Sequence, residues 1–377
     1  MPYRYSRRTE LLTKAIELTA LLVLWPLFLV RKEKAIVNRI LLVEPFQMGD
    51  VLSLTPMIRP LLRKYPGAEI YVLTKNSSGA ILKYDSRIKD VLLIEFPWTK
   101  YGKKGNLLFE VWPVLSDVLK LRRFQFDIGI DTRGDIRSQI IMLLTGCRRR
   151  VGNQSYLGSN INVRGLLLTH RHFGNKKLHR YLWNLELLKA LDFTEKELFP
   201  IQFPSFIPDV QPFPATSPYV LIHIGGGWTY KRWPVAKWQK LIEDLVRKQR
   251  VIVIGGPSET EIISEISTPF QRSENLDFLV TDYTELIRLT LCCSFFIGLD
   301  SGPMNLAVTL SKRVLALFGP GDSKMWYPLT EGSHYVHNIE SFACNPCHQV
   351  VCYYAGQNCM DAISTNDIFE KFELMTK

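Results

Sequence analysis

Two stretches of this 377-residue chain carry side chains suited to group transfer. In ILLVEPFQMGDVLSLTPMIRPLLRKYP, residues 40–66, an apolar run stops at Glu44 and a short link with Gly49 and Asp50 leads into an amphipathic helix. A carboxylate there suits two tasks: capping the first helical turn, or taking the proton of a hydroxyl that is to become a nucleophile. The stretch alone leaves both open. In FFIGLDSGPMNLAVTLSKRVLALFGPGD, residues 295–322, a strand ends at Asp300, and Ser301 and Gly302 open a helix with Pro303 in its first turn, where proline is tolerated. The free N–H groups and positive dipole end of that helix, with the Ser301 hydroxyl, suit a phosphate or diphosphate. FGPGD then adds a second glycine-proline turn after the next strand.

YVLIHIGGGWTYKRWP places Gly225, Gly226 and Gly227 straight after a strand, so that backbone can approach a ligand, with Lys231 and Arg232 in reach of an anion. On its own this is equally a permissive loop with two solvated cations. CNPCHQVVCYYAGQNC holds Cys344, Cys347, Cys352 and Cys359. Such a set has two readings, a tetrahedral zinc or iron site of structural kind or reduced thiols in a packed loop; disulfides are not expected in a cytosolic protein. Cys147, Cys292 and Cys293 lie in apolar helical stretches and read as core, as does His223 in mid-strand.

The elements that must position these residues alternate. Strands are expected at Ile40–Val43, Ile70–Leu73, Val91–Ile94 and Asp127–Ile130, separated by helical stretches that include 107–122 and 134–145. A helix at 178–191 and the proline-rich stretch 199–218 follow. The alternation restarts with strands at 219–224, 251–254, 295–299 and 313–318 and helices at 235–247, 284–291 and 302–310. This is the pattern of βαβ units with mostly parallel sheets. We expect an α/β chain of two doubly wound, Rossmann-like domains, residues 39–204 and 219–377, joined by a linker at 205–218. Ligands should lie in a cleft at the carboxyl ends of both sheets.

With 46% hydrophobic and 22% charged residues the chain is globular. Its net charge of +11 favours an anionic partner, and nucleic acid is not expected because no nucleic-acid-binding signature is present. Residues 1–38 differ from the rest: LTALLVLWPLFLV, residues 18–30, is uncharged between basic flanks. No small-residue cleavage site follows, so the segment is expected to be retained. It is short for a span and contains Pro26, so a helix lying in the membrane surface fits, and a helix packed on the protein itself is the other reading.

LLVEPFQMGDVLSLTPMIRPLLRKYPGAEIYVL, IDTRGDIRSQIIMLLTGCRRRVG, IHIGGGWTYKRWPVAKWQKLI and GLDSGPMNLAVTLSKRVLALFGPGD resemble, in this order, the motifs of glycosyltransferase family 9, the ADP-heptose:lipopolysaccharide heptosyltransferases, nearest the heptosyltransferase II type. The resemblance covers about residues 39–362. It implies a GT-B fold and inverting transfer of heptose from ADP-heptose to a lipid-linked lipopolysaccharide core, in the cytoplasm at the inner membrane, with no cofactor required for catalysis. It also implies Asp50 as general base, Lys231 on the donor, and Asp300, Ser301 and Gly302 holding the diphosphate. Arg133 and Arg137 would face the acceptor. Where the family usually has His, this chain has Asn305, which can donate to phosphate but carries no charge. The cysteine-rich loop 344–359 is similar to one in heptosyltransferase II relatives. The alternatives are a family member using another nucleotide sugar, for a capsule, O-antigen or protein glycan, and, in a different class, a catalytically silent saccharide-binding protein.

Overall fold

The computed structural model describes residues 7–28, 36–99, 107–154, 157, 165–214, 217–227, 229–271, 273–337, 342, 344, 347, 352 and 358–377. The chain divides into two compact units, the first ending at Gln202 and the second beginning at Phe203.

The first unit holds β1 (Arg39–Val43), β2 (Glu69–Thr74), β3 (Ile88–Leu93), β4 (Ile128–Asp131), β5 (Arg149–Asn153) and β6 (His170–His172). Its helices are α1 (Arg7–Phe28), α2 (Met48–Leu52), α3 (Thr55–Lys64), α4 (Asn76–Gly79), α5 (Leu107–Lys120), α6 (Ile136–Leu144), α7 (Arg180–Leu187) and α8 (Glu195–Leu198). The sheet is parallel in the order β3-β2-β1-β4-β5-β6. Leu41 and Val43 of β1 pack with Tyr71, Leu73, Phe96 and Phe126 in one core. β1 and β4 are buried along nearly their whole length, which is why both read as continuous apolar runs.

The second unit repeats the plan with β7 (Tyr219–His223), β8 (Arg250–Gly255), β9 (Leu276–Val280), β10 (Phe295–Leu299), β11 (Val314–Phe318) and β12 (His334–His337). Its helices are α9 (Val235–Val246), α10 (Thr260–Ser267), α11 (Tyr283–Cys292), α12 (Gly302–Thr309), α13 (Ser323–Trp326) and α14 (Thr365–Thr376). The parallel order β12-β11-β10-β7-β8-β9 is that of the first sheet when the strands are counted from β7. In each sheet the order therefore reverses between the first and fourth strands of the unit, β1/β4 and β7/β10. Open α/β sheets bind ligands at the carboxyl ends of such a pair.

Three expectations change. Gly49 and Asp50 do not sit in a link: they lie inside α2, because the Asp50 carboxylate already accepts the Gln47 N–H at 3.2 Å and closes a helical turn there. The single amphipathic helix becomes α2 and α3, with Pro56 in the first turn of α3. The start of the expected linker is built into the second unit, since Ser205 and Phe206 both donate to the Thr309 carbonyl and are buried.

α1 lies on the first unit. Ala20 and Leu21 pack with Ile136, Ile140, Leu143 and Leu167, and the buried Glu17 accepts the Leu166 N–H. Leu11, Leu18 and Leu22, spaced so as to fall on one helical stripe, are exposed, and so are Ile16 and Val23. No helix among the described residues is long and apolar enough to cross a membrane.

Candidate active site

At the switch point of the first sheet, β1 delivers Glu44, β4 delivers Asp131, Thr132 and Arg133, and α2 delivers Asp50. Arg133 Nη1 donates to Asp50 Oδ1 at 2.8 Å and lies 3.8 Å from Glu44 Oε1, while its guanidinium rests on the Phe46 ring at 4.0 Å. From α7, the fully buried Arg180 donates to Glu44 Oε2 and, at 3.1 Å, to the Thr132 carbonyl; its Nε lies 3.6 Å from Asp50 Oδ1. Thr132 Oγ1 donates to Glu44 Oε2 at 2.8 Å, and Asn184 ties α7 to α2 by donating to the carbonyl and hydroxyl of Ser53.

The result is a box of two carboxylates and two guanidiniums in which each charge is opposed. Burial pushes the Glu44 carboxyl up, against the pull of Arg133 and Arg180. Asp131 is pushed up to about 8 by burial and by the neighbouring Asp135, so its carboxyl is largely protonated at neutral pH. Of the two tasks open to it from sequence the geometry shows the first: one Asp50 oxygen closes the α2 turn, while the other pairs with Arg133. Lys75, buried beyond β2, also acts on Asp50 electrostatically, and desolvation lowers its pKa. Arg137 goes elsewhere: Asp135, the N-cap of α6, holds its guanidinium, with Nε 2.9 Å from Oδ1, and the guanidinium lies over Trp98.

At the switch point of the second sheet, Lys231 Nζ donates to Asp300 Oδ2 at 2.6 Å, directly before α12. Ser301 is the N-cap of α12, yet its hydroxyl makes no capping bond and is buried without a partner among the described residues. The turn after β11 approaches so closely that a Cβ on Gly321 would fall 2.1 Å from Asp300 Oδ2, so any larger residue must push the Asp300 carboxylate aside. A Cβ on Gly226 would meet Lys231 at 3.2 Å, one on Gly225 would overlap Glu259, and one on Gly227 would meet nothing within 4 Å. Asn305 is buried and donates from Nδ2 to the Ser301 carbonyl at 3.0 Å, so that donor is engaged inside the helix. Orphan N–H groups, a free hydroxyl and a pinned ammonium make a site for an anion. His223 is buried with a lowered pKa caused by desolvation.

Cys347 N–H donates to the Pro320 carbonyl, and a Cβ on Gly319 would lie 3.3 Å from Cys359 Sγ, so these two cysteines lie against the turn after β11. Burial pushes the Cys359 thiol up to about 11. Among the described residues no three His, Cys, Asp or Glu side chains are placed to hold a metal ion.

Sequence reasoning named Asp50, Arg133, Lys231, Asp300 and Ser301, which these geometries place at the two switch points. It assigned no role to Arg180, Thr132 or Asp131. One signal was available: Arg180 and Asn184 are polar residues one turn apart in a helix otherwise lined with Tyr181, Trp183, Leu185 and Leu187.

Residues 116–356 match the family described as glycosyltransferase family 9 (heptosyltransferase). Lipopolysaccharide heptosyltransferase 3 of Escherichia coli K12 is 25% identical over 292 residues, 75% of this chain and 83% of that protein. Lipooligosaccharide heptosyltransferase 2 of Campylobacter jejuni is 24% identical over 352 residues, covering 88% of this chain and 97% of that one. Among solved structures, E. coli ADP-heptose lps heptosyltransferase II superposes with a TM-score of 0.66 at 18% identity, covering 89% of this chain and 98% of that chain. E. coli heptosyltransferase WaaC with ADP-2-deoxy-2-fluoro heptose gives 0.67 at 17% identity, with 89% and 99% covered. The two parallel sheets are thus those of the GT-B heptosyltransferase fold, and the chain belongs to glycosyltransferase family 9.

Proposed function

We propose that this glycosyltransferase moves a heptose from ADP-heptose to a lipid-linked saccharide of the lipopolysaccharide inner core, with Asp50 as general base and inversion at the anomeric carbon. The observation that carries the reading is the Lys231 ammonium pinned by Asp300 at the mouth of α12, beside the unbonded Ser301 hydroxyl. The relatives named above, heptosyltransferases one of which is held with an ADP-sugar analogue, support the choice of donor.

In the step itself the acceptor hydroxyl gives its proton to Asp50 and its oxygen bonds to the anomeric carbon. The bond from that carbon to the diphosphate breaks, and ADP leaves with the electron pair. A single displacement inverts the configuration. Negative charge grows on the diphosphate, and the reading assigns its stabilisation to Lys231, the α12 N–H groups and the helix dipole. Deprotonation falls to the first unit and leaving-group stabilisation to the second.

For the acceptor's lipid, the exposed stripe of Leu11, Leu18 and Leu22 on α1, with Ile16 and Val23, supports a peripheral seat on the cytoplasmic face of the inner membrane. Replacing Leu18 and Leu22 by serine should then weaken co-sedimentation with anionic vesicles and leave ADP binding intact.

The function is tested by calorimetry with ADP, UDP and GDP, followed by turnover of ADP-heptose. Preference for ADP, lost in Lys231→Ala, together with turnover lost in Asp50→Asn, supports the proposal. A preference for UDP or GDP overturns the donor, and absence of nucleotide binding overturns the function.

A further inference from the structure

The carboxylate box holds one atom that the base reading leaves unexplained. Glu44 Oε1 is buried and accepts no hydrogen bond among the described residues, although Oε2 takes both Thr132 and Arg180. A buried carboxylate oxygen is normally bonded. Arg133 Nη1 lies 3.8 Å away, the same nitrogen that sits 2.8 Å from Asp50 Oδ1. Arg180 Nε, likewise without a hydrogen bond, lies 3.6 Å from Asp50 Oδ1. Each guanidinium is therefore bonded to one carboxylate and about one ångström short of the other. Phe46 offers its ring face beneath Arg133, so the planar group has a surface to slide on.

Asp50 has one oxygen on Arg133 and the other on the Gln47 N–H, so a base there has both proton-accepting oxygens engaged. We infer that Arg133 passes from Asp50 to Glu44 as Asp50 receives the acceptor's proton, so that Glu44 is a positioning residue for the base. The inference rests on the reading of Asp50 as that base. The balance is simple: the proton moves from the acceptor hydroxyl to Asp50, the N–H···O bond to Asp50 Oδ1 is exchanged for one to Glu44 Oε1, and Glu44 ends with a guanidinium on each oxygen. Besides Arg180, the other titratable groups beside the pair are Lys75 beyond β2, coupled to Asp50, and Asp131 of β4, coupled to Glu44. Neither is shared between the two carboxylates as Arg133 is.

The test is a double-mutant cycle read as the pH profile of kcat. Glu44→Gln keeps the shape and an oxygen for Thr132 and Arg180 but removes the charge that draws Arg133 away. With handover, kcat falls about tenfold with the donor KM unchanged, and the acid limb moves down by about one pH unit. In the Arg133→Gln background the same substitution moves the limb much less. An unmoved limb in the first case, or an equal shift in both backgrounds, overturns handover; an equal shift means that Glu44 acts only through space. Should Glu44→Gln unfold because Arg180 loses its counter-charge, Arg133→Lys replaces it: an ammonium has no planar fork to exchange, so the same drop in kcat is expected, and wild-type kcat overturns the inference. Asp50→Asn is run in parallel. Turnover retained there defeats the base reading itself, whereas turnover lost with an unmoved Glu44→Gln profile defeats handover alone.

Discussion

The two switch points solve opposite problems. In the first unit the functional groups are side chains that already neutralise one another: Glu44 and Arg180 are fully buried, and Asp50 is held from two sides. In the second the groups on offer are backbone N–H, one hydroxyl and one half-buried ammonium, framed by glycines. The proposed base must keep its place while it takes a proton, and a buried network of opposed charges holds it there. The proposed nucleotide must arrive and leave, and backbone N–H groups with one ammonium offer it hydrogen bonds without a buried charge network. The same sheet order thus carries a closed electrostatic network at one switch point and, at the other, a glycine-framed turn suited to an anion.

If that contrast is right, the two ends fail differently. Asp50→Asn should lower kcat by about a hundredfold to ten-thousandfold, the usual span for loss of a general base, with the ADP dissociation constant unchanged. Lys231→Ala should weaken ADP binding by about ten- to a hundredfold, the worth of a charge-assisted hydrogen bond, and lower turnover as well. Steady-state kinetics paired with calorimetry separates them. Loss of ADP binding in Asp50→Asn would break the division of labour between the units.

How much of this could be read beforehand follows the same contrast. The anion cradle is local: GLDSGP and the glycine triplet are contiguous strings whose strand-to-helix turns can be inferred from the chain itself, and the structure places them so. The carboxylate box is not local. Arg180 reaches Glu44 across 136 positions, and nothing in spacing tells which helix returns to the end of β1. The strands behaved likewise. β1, β4, β7 and β10 are buried on both sides and stand out as apolar runs, whereas β6, made of His170, Arg171 and His172, is a short polar edge without periodicity. Asp50 was legible as a carboxylate in the right place. Its double duty, capping α2 and pairing with Arg133, needed coordinates.

The cradle can be probed by methyl groups. In Gly321→Ala the new Cβ would overlap the Asp300 carboxylate and displace it from Lys231, so ADP binding should fall about tenfold, the scale of one disturbed ion pair in a partly buried site. Gly227→Ala has open space and should bind ADP as the parent does. Equal loss in both would mean that the loops need glycine for backbone freedom, and the close approach of the FGPGD turn would no longer explain its sequence.

The smallest effect belongs to the closed network and is read in stability. Asp131 is held at about 8 in the folded chain, well above the ordinary carboxyl value near 4, because burial and Asp135 oppose its charge. The folded state therefore binds a proton that the unfolded state has released between those two values. The contribution is fully present below about pH 4 and is lost as pH rises through about 8, at no more than about 1.4 kcal/mol per pH unit for one proton. Asp131→Asn keeps an oxygen for the Arg133 N–H and has no proton to lose, so urea melts from pH 5 to 8 should show a shallower decline than the parent. Parallel slopes in the two proteins would mean that Asp131 is ionised in the fold. The first switch point would then carry one more negative charge than its guanidiniums oppose, and the picture of a fully neutralised network around Asp50 would have to be given up.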